Sequence, residues 1–343
     1  MTRHSLSLLV LSVLSTSSLA ATKMETIEVV GSYFNDYKVD NASGALRTDA
    51  SLLETAQSVT VIPEIVVNEQ LATTLGEVLN NDASLTSGSK QRNRETFNMR
   101  GFGLSSSTGY LRDGHQHWSH YQQPIEILER VEVIKGPSSI LYGQSGPGGL
   151  VNMVTKKPTA NRQVNLSADV DQHGSTRFMA DASSTLNESE SLRGRTILVK
   201  QDVNFWRDYA SSAERERDRF LGAVVVDYDI SEDTLLRVHY DRTDDKTGLD
   251  TGAWLNSQGE LIGDDKTIYD FSWAFTDIQV ENIGVDVRTY LSDNWQVKLG
   301  YNEQTFERQR FESAPRKPND YQVGDSYTSR PYDRFDDWQF TTA

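Results

Sequence analysis

After Pro158 the chain settles into strict two-residue alternation, the pattern that most narrows what it can fold into. Val164, Leu166, Ala168 and Val170 interleave with Asn165, Ser167, Asp169 and Asp171. Leu236, Val238 and Tyr240 interleave with Arg237, His239 and Asp241, and Trp295, Val297, Leu299 and Tyr301 with Gln296, Lys298 and Asn302. Successive side chains of a strand point to opposite faces, so each run has one apolar and one polar face. Segments of about ten residues with this character suit a transmembrane β-barrel with lipid outside and water inside. A β-sandwich with one buried face is the soluble alternative. Connection lengths favour the barrel: turns near 187–191, 231–233 and 292–294 are short and polar, while 206–217, 243–276 and 311–333 are long. The first connection, 172–175, is short and departs from that rhythm. The long loop from Thr243 carries Trp254, Tyr269, Phe271 and Trp273, aromatic surfaces that suit either a ligand or packing of the loop on its neighbours.

Ahead of the alternating region, residues 129–158 hold two strand-like apolar runs around a bend. Val131 and Val133 belong to the first run, and Leu150, Val151, Met153 and Val154 to the second. The bend carries Gly136, Gly143, Gly146, Gly148 and Gly149, with Pro137 and Pro147 fixing φ beside residues free to take φ > 0. Spacing argues against two enzyme readings of such a bend. A phosphate-cradling loop needs a Lys after its last glycine, but Gly143 is followed by Gln144 and Ser145. A nucleophile elbow needs glycine two residues after its serine, and Ser145 is followed there by Pro147. A net charge of −15 argues against nucleic acid. The absence of cysteine excludes disulfides and thiolate metal sites.

Toward the N-terminus, residues 1–21 read as an export signal: Arg3, a short apolar core over 6–14, and the small-x-small site Ser18-Leu19-Ala20. That core is much shorter than the ~20 residues a membrane-spanning helix requires. Glu25, Thr26, Ile27, Glu28, Val29 and Val30 then alternate in an extended pattern, either a plain N-terminal strand or one that adds to the sheet edge of a partner. Residues 31–50 read as a mobile linker. From Ser51 onward strands, short helices and turns are mixed, with a strand at 58–62, a helical turn or two after Pro63, and a capping box at Thr74 and Glu77. Such a mixture predicts an α+β domain over 51–158. Within it, the loop at 115–124 contains His115, His117, Trp118, His120, Tyr121 and Gln122. Metal ligation, simple solvation and recognition of an organic ligand are all open for this loop. Arg100 is open too, between pairing with an acidic neighbour and pointing at a ligand.

The run RVEVIKGPSSILYGQSGPGGLVNMVTKKP at 130–158, preceded by FNMRGF at 97–102 and YLRDG at 110–114, resembles the plug domain of TonB-dependent ferric-siderophore receptors. The resemblance extends from about residue 25 to the C-terminus. It implies an α+β plug followed by an antiparallel transmembrane β-barrel of about 22 strands. Residues 159–343 have room for only seven or eight of these, so the chain is expected to be a truncated N-terminal portion that does not function alone. By the same resemblance Glu25 to Val30 correspond to the TonB box, gripped by TonB and its inner-membrane energising complex. Arg100, His117, Trp118, Tyr121, Gln122 and Trp254 become candidate ligand-binding residues. A ferric siderophore keeps its iron in its own oxygens, so no protein metal ligand, resident cofactor or catalytic residue is implied. Outer-membrane lipid is the expected surrounding. Haem or cobalamin as cargo, and a plug-like binding module, are the alternatives.

Overall fold

The computed structural model describes residues 37, 39–44, 47, 50–90, 93–252, 258, 260–261, 263–292, 295–315 and 327–330. The expected export signal, the 25–30 segment and Trp254 lie outside these residues.

Short elements come first: β1 (Asn41–Ala42), β2 (Ala50–Ser51), β3 (Ser58–Pro63), α1 (Glu64–Glu69), α2 (Leu75–Leu79), β4 (Leu85–Ser87), β5 (Phe97–Met99), β6 (Phe102–Gly103), β7 (Tyr110–Arg112), β8 (His115–Gln116), β9 (Leu128–Lys135), α3 (Ser139–Tyr142) and β10 (Gly149–Thr155). A five-stranded sheet in the order β3-β9-β10-β7-β8 organises them. The two apolar runs around the glycine bend are β9 and β10, paired antiparallel from Gly149↔Lys135 onward. The bend has to be glycine-rich because a Cβ at Gly149 would strike the Ile134 carbonyl, and one at Gly148 the Met99 carbonyl. In α2, Thr74 accepts from the Glu77 backbone while Glu77 reaches back, the capping box read from the sequence. Capping fixes the helix so that Leu75, Val78 and Leu79 enter the core with Val131, Val133, Val151 and Met153.

Longer strands follow: β11 (Gln163–Val170), β12 (Thr176–Thr185), β13 (Leu192–Asn204), β14 (Asp208–Tyr209), β15 (Glu216–Ser231), β16 (Thr234–Gly248), β17 (Thr267–Ile268), β18 (Phe275–Ser292), β19 (Trp295–Pro315) and β20 (Tyr327–Arg330). Eight form one sheet in the order β11-β12-β13-β15-β16-β18-β19-β20, each antiparallel to its neighbour. The small pair β14 and β17 ties two of the long connections together in parallel. Outward residues such as Leu166, Phe178, Leu198, Tyr240 and Leu299 stay exposed, as a lipid-facing band requires.

Three expectations need correction. Strands reach 16 residues in β15, 18 in β18 and 21 in β19, well beyond the apolar runs of about ten. Beyond the oily band the outward positions become charged, as at Lys200, Asp218 and Lys246, while the hydrogen-bonded ladder continues. The alternation therefore fades from the sequence before the strand ends, and the connection expected at 243–276 shrinks to the interval between Gly248 and Phe275. The inward face is also not uniformly watery. Ile197, Val199, Leu221 and Ala223 point inward and join the core of the preceding domain. Finally, residues 41–44 are seated on the plug rather than forming a free linker: Ala42 is buried, and Gly44 hydrogen-bonds to Glu132.

Candidate functional site

The site grows from the turn between β7 and β8. Asp113 and Gly114 both have positive φ, 50° and 83°, which reverses the chain in two residues. The Asp113 carboxylate accepts from the Thr155 backbone and hydroxyl at 2.9 and 2.7 Å. Burial would raise its pKa, but these hydrogen bonds outweigh burial and keep it below the usual carboxylate range. With the turn fixed, Arg112 reaches outward to form a forked ion pair with Asp241 on β16. His115 lies 3.5 Å from Asp286 on β18.

Beyond β8 the loop runs against β18 and β19. Gln304 accepts the Trp118 backbone N–H at 3.1 Å and donates to its carbonyl at 3.2 Å, acting as a one-residue strand partner. Trp118 packs on Phe306 with centroids 4.9 Å apart, and Tyr121 is buried among Phe306, Ile278 and Val280. His117 lies 3.1 Å from the Tyr121 hydroxyl and 3.0 Å from Gln123. Burial, reinforced by the Arg112 charge, pushes its imidazole down to about 3, so it is neutral at physiological pH. His120 instead contacts Arg94, and its pKa is pushed down to about 4 by burial and by Arg94, Arg308 and Arg310.

The three histidines thus go to three different partners, and among the described residues no cluster of three or more metal-ligating side chains is present. His115 belongs to a strand rather than to the loop expected there. His117 and Tyr121 are buried as supports between plug and wall, while Trp118 and Gln122 are half-buried. Arg100 sits at the β5–β6 turn with φ 54°, exposed, and no carboxylate among the described residues pairs with it. Of its two sequence readings, the internal ion pair does not form among these residues.

Two further ion pairs close the seam. Glu126 accepts both terminal nitrogens of Arg219 on β15 at 2.7 and 2.8 Å. Although burial raises the pKa of Glu126, Arg219 overrides it and holds the carboxyl at about 2. Lys156 bridges Glu64 at 2.7 Å and Asp181 on β12 at 3.2 Å. The sequence did not single out Asp241, Arg219, Gln304 or Phe306. The available signal was their position on the inward half of the alternation, where a charge or an aromatic ring must find a partner. Above the seam, Arg207 grips Asp250 at 2.7 Å, and Phe271 stacks on Trp273 at 5.7 Å beside the β14–β17 pair.

Comparison with known proteins agrees with this architecture. Residues 51–150 match the family model described as TonB-dependent Receptor Plug Domain. The ferric-pyoverdine 358 receptor of Pseudomonas putida is 27% identical over 300 residues, 84% of this chain and 35% of the relative. The metal-pseudopaline receptor CntO of Pseudomonas aeruginosa is 28% identical over 314 residues, 89% of this chain and 42% of the relative. The solved ferripyoverdine receptor of the P. aeruginosa outer membrane superposes with a TM-score of 0.74 at 21% identity, over 82% of this chain and 38% of that one. The chain spans less than half the length of these relatives. With the plug motif, the plug fold and the long antiparallel strands all in agreement, residues 51–150 are a TonB-dependent receptor plug domain, and the chain is similar to TonB-dependent receptors over most of its length.

Proposed function

We propose that this chain is the plug-bearing N-terminal part of an outer-membrane receptor that takes up ferric siderophores using energy delivered by TonB. One observation carries the reading: a plug is fastened to the inward face of a lipid-banded sheet while its Arg100 turn stays exposed. A guanidinium suits the oxygen atoms of a hydroxamate or catecholate chelate. Trp118, Gln122 and Trp254 would add aromatic and amide contacts, while His117 and Tyr121 hold the loop in place from behind. Residues 1–21 would direct export through the Sec pathway and be removed. Residues 25–30 would be the TonB handle, 51–158 the plug and 159–343 the first part of the barrel. The role is transport, with iron as cargo and no chemical step.

Growth of a siderophore-uptake-deficient host carrying the full-length gene, on a panel of ferric siderophores, tests this. Rescue by at least one siderophore, lost without TonB, is the expected result. Ile27→Pro should abolish uptake and leave binding intact, since proline removes a donor from an added strand. Growth only on haem or cobalamin, or uptake independent of TonB, would overturn the reading.

A further inference from the structure

Glu132 lies on β9 in the middle of the plug sheet and is fully buried, yet the seam uses none of its hydrogen-bonding capacity. Its two oxygens are shared between the N-terminal segment and neighbours on its own sheet. One oxygen accepts the Ser43 backbone N–H at 3.0 Å and the Arg130 guanidinium at 2.9 Å. The other accepts the Gly44 N–H at 2.7 Å and the Asn152 side-chain amide at 2.9 Å. Tyr142 donates its hydroxyl to the Gly44 carbonyl. A Cβ on Gly44 would meet Ile134 at 2.6 Å, Glu132 at 2.7 Å and Asn152 at 3.0 Å, so the backbone lies directly in this cradle. Asn152, also fully buried, accepts the Gly114 N–H at 3.1 Å and thereby reaches the turn that leads into the 115–123 loop.

We propose that the buried Glu132–Asn152 pair is the joint through which a pull on the N-terminal segment reaches the centre of the plug, and through which that segment is tied to the Asp113–Gly114 turn. This rests on the function proposed above. Charge-assisted hydrogen bonds to a desolvated carboxylate are strong and short-ranged, so they hold until loaded and then release together. With the joint intact, force on residue 44 is delivered to β9 and β10, which have strand neighbours on both sides. Without it, only the two-residue β1–β2 pair stands between the load and β3, an edge strand held by β9 alone. Glu132 and Asn152 are positioning residues: they meet neither cargo nor partner.

Hydrogen–deuterium exchange on the full-length receptor, comparing wild type with Glu132→Gln, Asn152→Leu and Gly44→Ala, tests the joint without needing cargo or TonB. The Ser43 and Gly44 amides should be protected in wild type and exchange at least about tenfold faster in each variant, with β9 and β10 still protected. Gly44→Ala unseats the segment without altering a plug side chain, so its result stands even if Glu132→Gln disturbs the sheet. Unprotected Ser43 and Gly44 amides in wild type, or equal protection in Gly44→Ala, would overturn the joint. For force delivery, ferric-siderophore affinity should be unchanged in Gly44→Ala while the uptake rate falls about tenfold or more. Unchanged or faster uptake would overturn that part. If wild type transports nothing, the uptake reading fails and the exchange result still decides whether the joint exists.

Discussion

In the plug strand β10, six consecutive residues from Gly149 to Val154 are buried, whereas in the wall strand β16 buried residues such as Asp241, Thr243 and Asp245 alternate with partly exposed ones. The plug is thus held by apolar burial on both faces of its sheet, the ordinary driving force of a water-soluble core. The wall gains nothing comparable from its outward oil, because lipid is as apolar as the side chains. Its grip on the plug depends on the inward face, and there two kinds of contact alternate: buried ion pairs and small apolar patches. Each predicts a different response to mutation.

The ion pairs should give the largest response. Glu126 and Arg219 have side chains only 4% and 3% exposed, so removing either leaves an uncompensated buried charge. Arg219→Ala or Glu126→Ala should each cost about 3–5 kcal/mol, while Glu126→Leu combined with Arg219→Met should cost much less. Thermal unfolding in micelles, arranged as a double-mutant cycle, measures this. Single variants no worse than the double would mean that the charges are screened by water and that the two regions are not held as described.

Two adjacent residues sharpen the apolar side of the comparison. Ile197 points into the plug core at 3% exposure, while Leu198 points outward at 47%. Ile197→Ala should cost about 2–5 kcal/mol of stability, and Leu198→Ala under about 1 kcal/mol, since its lipid contacts are replaced by lipid. Equal effects in the same unfolding assay would place the plug elsewhere.

This pair also marks how far the sequence could be read. Ile197-Leu198-Val199 interrupts the alternation with three apolar residues in a row, the mark of a strand covered on both faces. The capping box at Thr74, the β9 and β10 runs and the glycine bend were legible because their signals are local. Seam partners were not, because a pair such as Arg112 and Asp241 joins residues 129 apart and single-chain periodicity gives a face but never a partner. The seating of residues 41–44 was hidden for the same reason: Gly44 looks like linker glycine until Glu132 is placed against it.

A smaller effect should follow from Gln304, which replaces a strand neighbour for Trp118. Gln304→Leu leaves the Trp118 N–H and C=O without their partner and should cost about 1–3 kcal/mol. Under the proposed function, in which this loop offers Trp118 and Gln122 to the cargo, affinity for a ferric siderophore should fall with it, whereas Gln304→Glu should retain the bond to the N–H and recover part of the loss. Titration of ligand into the receptor by tryptophan fluorescence distinguishes the two. Equal affinity in Gln304→Leu and wild type would separate the loop from ligand binding.

The smallest effect is a pH dependence confined to the plug side of the seam. His117 is pushed from its ordinary 6.5 down to about 3, chiefly by burial and then by Arg112. Because its folded pKa is below its unfolded one, acid protonates the unfolded chain first. The stability it contributes is therefore complete above pH 6.5 and is lost progressively as pH falls toward 3. Between pH 6.5 and 5.5 that loss should be about 1 kcal/mol. Glu126, held at about 2 against an ordinary 4.5, loses its own contribution only below that window, so the two are separable. His120, pushed down to about 4, acts in the same direction as His117. Comparing wild type with His117→Gln isolates the buried residue: the variant should unfold with a shallower dependence on pH from 6.5 down to about 3 and an unchanged one above and below that interval. Parallel curves throughout would mean that His117 is protonated in the folded receptor, and that the loop is wetter than its packing against Phe306 implies.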